Sequence, residues 1–317
     1  MGLYMHFSKV EDDIIRAWYP SGGSKSVKQY IPNRSCDSIR TRAKKLHIKT
    51  NVNIWTRDED NLLRLEYPSN PEVFRLFDRH TNEAVLGRAK KLKVRRLPNV
   101  KQPIYSVNYD FFKTWSPDMA YIIGFLLADG CIAEDRRGTG TNKVVTITLK
   151  STDEYILEQM RKACGRENPV HMHMKDNRNY SSLTLGGTYL CNILANYKLV
   201  PRKSLTCEFP VDVPDNCVSN LILGYFDGDG GVYIDKKYNY LYMRFSGTKQ
   251  FLEDVNKQIV KFANIKPGSI VVDRNIWRLN YHGPKQCKPI YNWLYSNANM
   301  CLTRKKVRFE RIYGEVC

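Results

Sequence analysis

Two aspartates of this chain stand in surroundings that suit metal-assisted chemistry. Asp129 and Asp229 each end an apolar run, and each is followed by glycine. If the two runs are helices that cross, their carboxyl ends bring two carboxylates together, where the like charges repel each other and lose hydration. A hard divalent cation removes that conflict, because Mg²⁺ takes one or two carboxylates and completes its shell with water and phosphate oxygens. The pair therefore predicts a divalent-cation site.

Both apolar runs are predicted to be short buried helices. The first follows the helix-start pattern Ser-Pro-Asp at 116–118, and the second is entered from Pro-Asp at 214–215. Each run is apolar on every face, which is typical of a helix buried against another helix. Gly124 and Gly224 lie in mid-helix, where glycine costs roughly 1 kcal/mol relative to alanine unless two backbones approach closely. We therefore expect the two helices to cross at these glycines.

The chain around the two acids is predicted to be a duplicated αββαββα unit. Each apolar helix is followed by two alternating segments, a helix, two more short strands and a final helix. The first copy covers residues 105–210 and the second covers residues 211–317. Both copies then reach an Arg-Lys pair, so that Lys203 and Lys305 stand at matching positions. We predict an α+β fold whose halves pack around a pseudo-twofold axis.

The residues around the two acids resemble a known family. Residues 124–130 read Gly-Phe-Leu-Leu-Ala-Asp-Gly and residues 224–230 read Gly-Tyr-Phe-Asp-Gly-Asp-Gly, like the two motifs of a single-chain LAGLIDADG homing endonuclease. The phrases Trp-Ser-Pro-Asp-Met-Ala-Tyr at 115–121 and Val-Pro-Arg-Lys-Ser-Leu at 200–205 also resemble that family. The resemblance implies two halves that form a DNA-binding saddle. It further implies a monomeric, metal-dependent endonuclease that cuts double-stranded DNA at a long recognition site.

The resemblance also implies roles for individual side chains. The last acid of each motif, here Asp129 or Asp229, would bind Mg²⁺ or Mn²⁺ at the scissile phosphates. Lys203 and Lys305 are predicted to be catalytic, with phosphate anchoring or plain solvation as the alternative, and Lys306 could replace Lys305. In the first half a leucine stands where the second half has Asp227. We interpret Asp227 as a group that supports the helix end, not as a metal ligand.

Two predicted strands each have a polar face that suits DNA. Side chains alternate across a strand, so that polar or aromatic residues share one face and apolar residues share the other. Any half-buried sheet shows this alternation, but together with the charge and the carboxylate pair it favours a surface that reads a DNA groove. The DNA-binding residues predicted on these strands are Thr146, Thr148, Lys150, Tyr238, Tyr240, Tyr242 and Arg244.

The first hundred residues contain a shorter repeat. Residues 7–16 match residues 55–64: each copy begins with an aromatic residue, a Ser or Thr N-cap and acids of a first helical turn. The dipeptides Tyr19-Pro20 and Tyr67-Pro68 are expected to end the first helix of each copy. Each copy closes with a basic helix, for which Ser35 or Thr81 is the expected N-cap.

This shorter repeat predicts an all-α region that precedes the two halves. Three helices within about 45 residues describe a helix-turn-helix unit, so that residues 1–50 and 51–100 resemble tandem Myb/SANT-like repeats. A pair of helical hairpins that binds protein is the alternative interpretation. The DNA-binding residues predicted on the basic helices are Arg40, Arg42, Lys44, Lys45, Arg88, Lys90 and Lys91.

Composition supports a nucleic-acid partner and excludes other classes. The chain has 317 residues, and its 50 Lys and Arg against 32 Asp and Glu give a net charge of +18, which suits a polyanion. The longest apolar run, Met119–Ala128, is half of the roughly 20 residues that a bilayer needs. Nine cysteines without CxxC spacing argue against a disulfide framework or a zinc site. We expect a cytoplasmic, DNA-associated protein without a secretion signal.

Two alternatives to the endonuclease remain open on the same scaffold. A DNA-binding regulator that has lost cleavage would be expected to lack a motif acid, and both acids are present. An RNA maturase would leave no mark in the sequence.

Overall fold

The structure is a computed structural model that describes residues 6–50, 54–97, 100, 107–135, 142–201, 203, 206–235 and 240–314. The chain divides into two units, Met1–Gln102 and Pro103–Cys317. In the described ranges, no helix is long and apolar enough to cross a membrane. Of the predicted DNA-binding residues, Tyr238 lies outside the described residues.

Unit 1 begins with a capped helix that bends. Its first repeat contains helices α1 (Lys9–Tyr30) and α2 (Cys36–Lys45). The Ser8 hydroxyl accepts from the Glu11 amide and the Glu11 carboxylate accepts from the Ser8 amide, which confirms the predicted N-cap. The prediction that Tyr19-Pro20 ends the first helix is wrong, because α1 runs on to Gly23, where a φ of 61° interrupts it. A proline inside a helix loses one hydrogen bond and crowds the carbonyl four residues earlier, but its fixed φ is helical, and here the helix continues past Pro20.

The second repeat of unit 1 has the same order of helical segments. It contains α3 (Arg57–Glu66), a 3₁₀ helix (Val73–Leu76) and α4 (Asn82–Lys91). Thr56 and Glu59 form the same reciprocal cap, and α3 ends before Tyr67-Pro68 as predicted. The middle element is only one 3₁₀ turn, whereas in the first repeat the part of α1 after Gly23 fills that place.

Each repeat of unit 1 buries its own small apolar cluster. The side chains of the first cluster come from α1, α2 and the turn between them, and they are Ile15, Tyr19, Val27, Ile31, Ile39 and Ala43. Those of the second cluster come from the corresponding segments, and they are Leu63, Tyr67, Val73, Phe77, Val85 and Ala89. Two clusters of equal size at matching positions support the internal repeat.

Unit 2 consists of two halves with the predicted order of elements. The first half contains α5 (Pro117–Asp129), β1 (Gly130–Asp135), β2 (Asn142–Lys150), α6 (Glu154–Ala163), β3 (His171–Lys175), β4 (Arg178–Gly186) and α7 (Thr188–Ala195). The second contains α8 (Asp215–Asp229), β5 (Gly230–Asp235), β6 (Tyr240–Gly247), α9 (Lys249–Ala263), β7 (Ser269–Asp273), β8 (Ile276–His282) and α10 (Pro284–Tyr295). Both sheets are antiparallel, with strand orders β1-β2-β4-β3 and β5-β6-β8-β7. The α+β prediction is confirmed.

The two halves share one apolar core. The inward-facing residues of β2 and β6, such as Ile147 and Met243, are buried together with the side chains of α5 and α8. A helix α11 (Thr303–Tyr313) follows α10 and was not predicted from the sequence. Its only fully buried residues are Lys305 and Phe309, so its apolar periodicity is too weak to indicate a helix.

Candidate active site

The two motif helices α5 and α8 touch backbone to backbone. A Cβ atom at Gly124 would lie 1.9 Å from the carbonyl oxygen of Leu221, and one at Gly224 would lie 2.0 Å from that of Tyr121. No side chain fits at either position, because the obstacle is main chain on the other helix. The predicted crossing is therefore present, and it explains why two glycines occupy the middle of otherwise strong helices.

The crossing brings the carboxyl ends of the two helices together. Near these ends a Cβ atom at Gly228 would lie 2.3 Å from the Cβ of Ala128 and 3.5 Å from the carboxyl carbon of Asp129. Asp129 and Asp229 are the last residues of α5 and α8, and both are exposed to solvent. The two predicted metal-binding acids thus share one place in the fold.

The position of the two acids at the neighbouring helix ends affects their pKa values. Partial desolvation, reinforced by the charge of Asp129, raises the pKa of Asp229 to about 6. Desolvation also raises the pKa of Asp129, while the charges of Lys305 and Lys203 oppose that shift. Two solvent-facing carboxylates whose ionised forms are disfavoured by their surroundings gain from a bound cation.

The two predicted catalytic lysines have different hydrogen-bond environments. The Lys203 ammonium donates to the Ala128 carbonyl at 2.9 Å, at the end of α5. The Lys305 ammonium donates to the carbonyls of Phe226, Asp227 and Gly230, at 2.5, 2.7 and 2.6 Å.

An ammonium has three N–H donors, so the carbonyls at the end of α8 use all those of Lys305, whereas Lys203 makes one hydrogen bond among the described residues. Burial lowers the pKa of Lys305 to about 8. Burial also lowers the pKa of Lys203, against the charge of Asp229. Lys306 pairs with Glu310 at 3.4 Å on α11, away from these carbonyls.

Asp227 lies fully buried beside the crossing. Its Oδ2 accepts from the Tyr121 hydroxyl of α5 at 2.8 Å and from the Leu302 amide at 2.7 Å, just before α11. Burial raises its pKa to about 6. Asp227 therefore connects α8 with α5 and with the segment that carries Lys305, in agreement with its interpretation as a supporting group. The Leu127 side chain at the matching position is also buried and apolar.

The predicted DNA-facing residues of both sheets lie on the side opposite the core. On β2, Thr148 and Lys150 are exposed and Thr146 is half-buried, while the residues between them are buried. On β6, half-buried and buried residues alternate in the same way, with Tyr240, Tyr242 and Arg244 on the outer side. The alternation that the sequence indicated is present in both halves.

The arginines and the lysines on the basic helices of unit 1 have different surroundings. Arg42 donates through Nε to Asp12 at 2.7 Å, and Arg88 donates in the same way to Asp60 at 2.7 Å. Both guanidinium groups thus join the last helix of their repeat to its first helix. Arg40 pairs with Asp37 of its own helix. The remaining predicted contact residues are exposed lysines, namely Lys44, Lys45, Lys90 and Lys91.

A second repeated ion pair was missed in the sequence. Arg34 donates to Glu11 at 2.7 Å in the first repeat, and Arg79 donates to Glu59 at 2.7 Å in the second. The Arg34 guanidinium holds the pKa of Glu11 at about 2. Acids that the sequence assigned to helix capping therefore also bind arginines of their own repeat.

Among the described residues, no cluster of three or more His, Cys, Asp or Glu could hold a metal ion alone. The acid pair is the candidate metal centre because its two carboxylates lie at the neighbouring ends of α5 and α8. Its chemistry fits Mg²⁺ or Mn²⁺, which bind hard oxygen ligands, need only one or two carboxylates and keep open positions for water and phosphate.

Comparisons with known proteins bear on the first of the two motifs. Residues 116–192, from the N-cap of α5 into α7, match the family model of the LAGLIDADG-like domain. The chain is also similar to the DNA-directed RNA polymerase subunit Rpo1C of Methanocaldococcus jannaschii, with 24% identity over 152 residues. That match covers 47% of this chain and only 15% of the length of the subunit.

Three solved structures are similar to part of this chain. The homing endonuclease I-WcaI bound to its DNA recognition sequence has 16% identity and a TM-score of 0.44, and the match covers 62% of this chain and 89% of that one. The LAGLIDADG meganuclease I-AabMI bound to uncleaved DNA has 13% identity and a TM-score of 0.42, over 61% and 87%. Mesophilic variants of the homing endonuclease I-DmoI have 16% identity and a TM-score of 0.40, over 60% and 98%.

Proposed function

We propose that this protein is a site-specific double-strand DNA endonuclease of the LAGLIDADG homing type, which acts as a monomer inside the cell with Mg²⁺ or Mn²⁺. One observation carries the proposal: the crossing at Gly124 and Gly224 brings together two solvent-facing acids, each at the end of its motif helix. A catalytically inactive regulator on this scaffold has no need for both acids. The net charge of +18 suits a DNA partner.

The divalent ion, when bound, supplies Lewis-acid stabilisation of phosphate charge and lowers the pKa of a coordinated water. Asp129 and Asp229 would hold it at the junction of the two halves. Lys203 adds positive charge beside Asp229, and because its ammonium makes one hydrogen bond within the described residues, it can donate to phosphate oxygens or water. Lys305 holds the end of α8, and with it Asp229, in place. The outer faces of the two sheets bind the duplex on either side of the acids.

The function is tested by incubating the full chain with a plasmid library of randomised inserts and Mg²⁺, followed by sequencing of the ends. A double-strand cut at one recurring sequence is the expected result. Specific binding of DNA without any cut would favour the regulator instead. Selective binding of folded RNA over duplex DNA would favour the maturase.

Removal of residues 1–100 is expected to leave a folded nuclease with lower affinity for DNA. Each phosphate contact that is lost should also flatten the dependence of log K on log salt by about 0.9. A full-length variant in which Lys44, Lys45, Lys90 and Lys91 are all replaced by Gln should reproduce most of the loss of affinity and of the change in slope. These exposed lysines are not needed for folding. Filter binding at several salt concentrations measures both quantities, and an unchanged slope for both proteins would remove unit 1 from the DNA interface.

Lys203→Met and Lys305→Met are expected to differ. Lys305→Met removes the ammonium that donates to three carbonyls at the end of α8, of which that of Phe226 also accepts from the Gly230 amide. Each buried carbonyl that is left without a donor costs about 1–3 kcal/mol. It should therefore lower the melting temperature and slow both cuts. Lys203→Met should keep the fold and slow one strand more than the other, so that nicked DNA accumulates.

Strand-resolved kinetics on an end-labelled duplex, together with thermal unfolding, separate these effects. Lys306→Met is the matched control, because in the described part of the chain that lysine pairs with Glu310 on its own helix, and the variant should behave as wild type. Equal slowing of both strands by Lys203→Met would contradict a role for Lys203 in one half.

A further inference from the structure

A row of stacked rings crosses the outer face of the second sheet. Tyr233 of β5, Tyr242 of β6 and His282 of β8 are cross-strand partners. The ring centroids of Tyr233 and Tyr242 lie 4.9 Å apart, and those of Tyr242 and His282 lie 5.6 Å apart. The row therefore forms a rigid aromatic surface on the side away from the core.

Arg244 lies in the next row and is held from two sides. Its Nε donates to the Oδ1 of Asn280, its cross-strand partner on β8, at 3.2 Å. Its guanidinium carbon lies 5.4 Å from the ring centre of Tyr233 and 5.8 Å from that of Tyr242. Within the described ranges, no hydrogen bond or ion pair engages its two terminal amino groups. The orientation of the guanidinium is thus fixed, while its two terminal amino groups are available to donate to a ligand.

Gly231 makes room for this arrangement. It is the cross-strand neighbour of Arg244 on β5, and a Cβ atom there would lie 2.6 Å from the ring of Tyr233. The ring therefore lies over the backbone of Gly231, beside the guanidinium. Any side chain at this position would push the ring away from Arg244.

The first half has different residues at the matching positions. The pairs Gly130–Ile147 and Gly230–Phe245 occupy the same place in the two sheets, which fixes the alignment. The residues of the first half that stand where the second has Gly231, Tyr233, Tyr242 and Arg244 are Cys131, Ala133, Val144 and Thr146. Neither the stacked rings nor the arginine is repeated there.

We propose that Arg244 reads a guanine base in the half-site that the second half covers, an inference that rests on the proposed function. Guanine presents O6 and N7 as two acceptors in the major groove, and the open end of a guanidinium donates to both at once. Because Asn280 occupies Nε, the two terminal nitrogens form that end. Thr146 at the matching position of the first half has no such pair of donors, so the two half-sites differ at this base pair.

The test is selection of bound sites from a randomised duplex library, with the full chain and without divalent metal. Wild-type protein should prefer guanine at one position of one half-site by roughly tenfold to a hundredfold over other bases. Arg244→Lys and Arg244→Met should lose the preference at that position and keep it elsewhere. Asn280→Ala should weaken it while the charge of Arg244 remains. Lys257→Met, which removes one exposed charge from α9, is the matched control and should keep the guanine.

The outcomes separate this inference from the proposed function. If wild-type protein selects no consensus sequence, site-specific DNA recognition itself fails. If it selects a consensus that is unchanged in both Arg244→Lys and Arg244→Met, the guanine contact is overturned while the proposed function stands.

Discussion

Asp129→Asn and Asp229→Asn are each expected to reduce double-strand cleavage by about a thousandfold or more, which corresponds to roughly 4 kcal/mol of transition-state stabilisation. The reason is that each acid ends a motif helix at the junction of the halves and faces solvent, where it can hold a cation. DNA affinity should stay near wild type, since neither substitution removes a positive charge. Gel-based cleavage and binding assays measure the two quantities on the same duplex.

Near-normal cleavage by either asparagine variant would contradict the assignment of the metal centre.

Thermal unfolding of the metal-free protein provides an independent measurement. The pKa of Asp229 is raised to about 6 in the folded chain, so folding favours its protonated form. The stability gained from protonation is therefore present at low pH and is lost as pH rises through about 6. Asp229→Asn should remove that part of the pH dependence and stabilise the metal-free protein above pH 6.

Gly124→Ala and Gly224→Ala are expected to destabilise unit 2 by several kcal/mol or to prevent its folding. The added Cβ atoms would lie 1.9 and 2.0 Å from carbonyl oxygens of the partner helix, and backbone cannot move aside without separating the helices. Denaturant unfolding with near-ultraviolet circular dichroism reports the change.

Gly87→Ala is the matched control for these glycine variants. Gly87 also lies inside a helix, but a Cβ atom there meets nothing within 4 Å. Because alanine favours the helix by about 1 kcal/mol over glycine, this substitution should stabilise unit 1. Wild-type stability of the Gly124 variant would mean that the helices do not cross in contact.

The sequence was sufficient to predict a structural feature wherever that feature requires a particular type of residue. Glycine in the middle of an apolar helix predicts a close approach, and Gly124 and Gly224 make one. Strict alternation along β6 predicts a sheet with one buried face, and the structure has it. Ser8 and Thr56 before acidic first turns predict helix starts, and both side chains cap their helices.

The rest depends on contacts between residues distant in the chain, which leave no local pattern. Nothing near Lys305 in the sequence indicates three carbonyls from a helix 75 or more residues earlier. The sequence likewise gives no sign that Arg42, a predicted DNA-binding residue, also pairs with Asp12, which lies 30 positions earlier. The prediction from Pro20 was wrong because the φ of proline is compatible with a helix, and the interruption falls at Gly23, where φ is 61°.

The contact at Gly124 and Gly224 makes the spacing of the two helix ends independent of the residues on the outer faces of the sheets. Main-chain contacts set the spacing of the helices where they cross, and the residues on the outer faces of the sheets take no part in them. Under the proposed function, residues such as Thr146 and Arg244 could be exchanged to recognise another sequence while the distance between the two cut phosphates stays the same. An endonuclease with this helix crossing could acquire a new recognition sequence in a genome without any change in its catalytic residues.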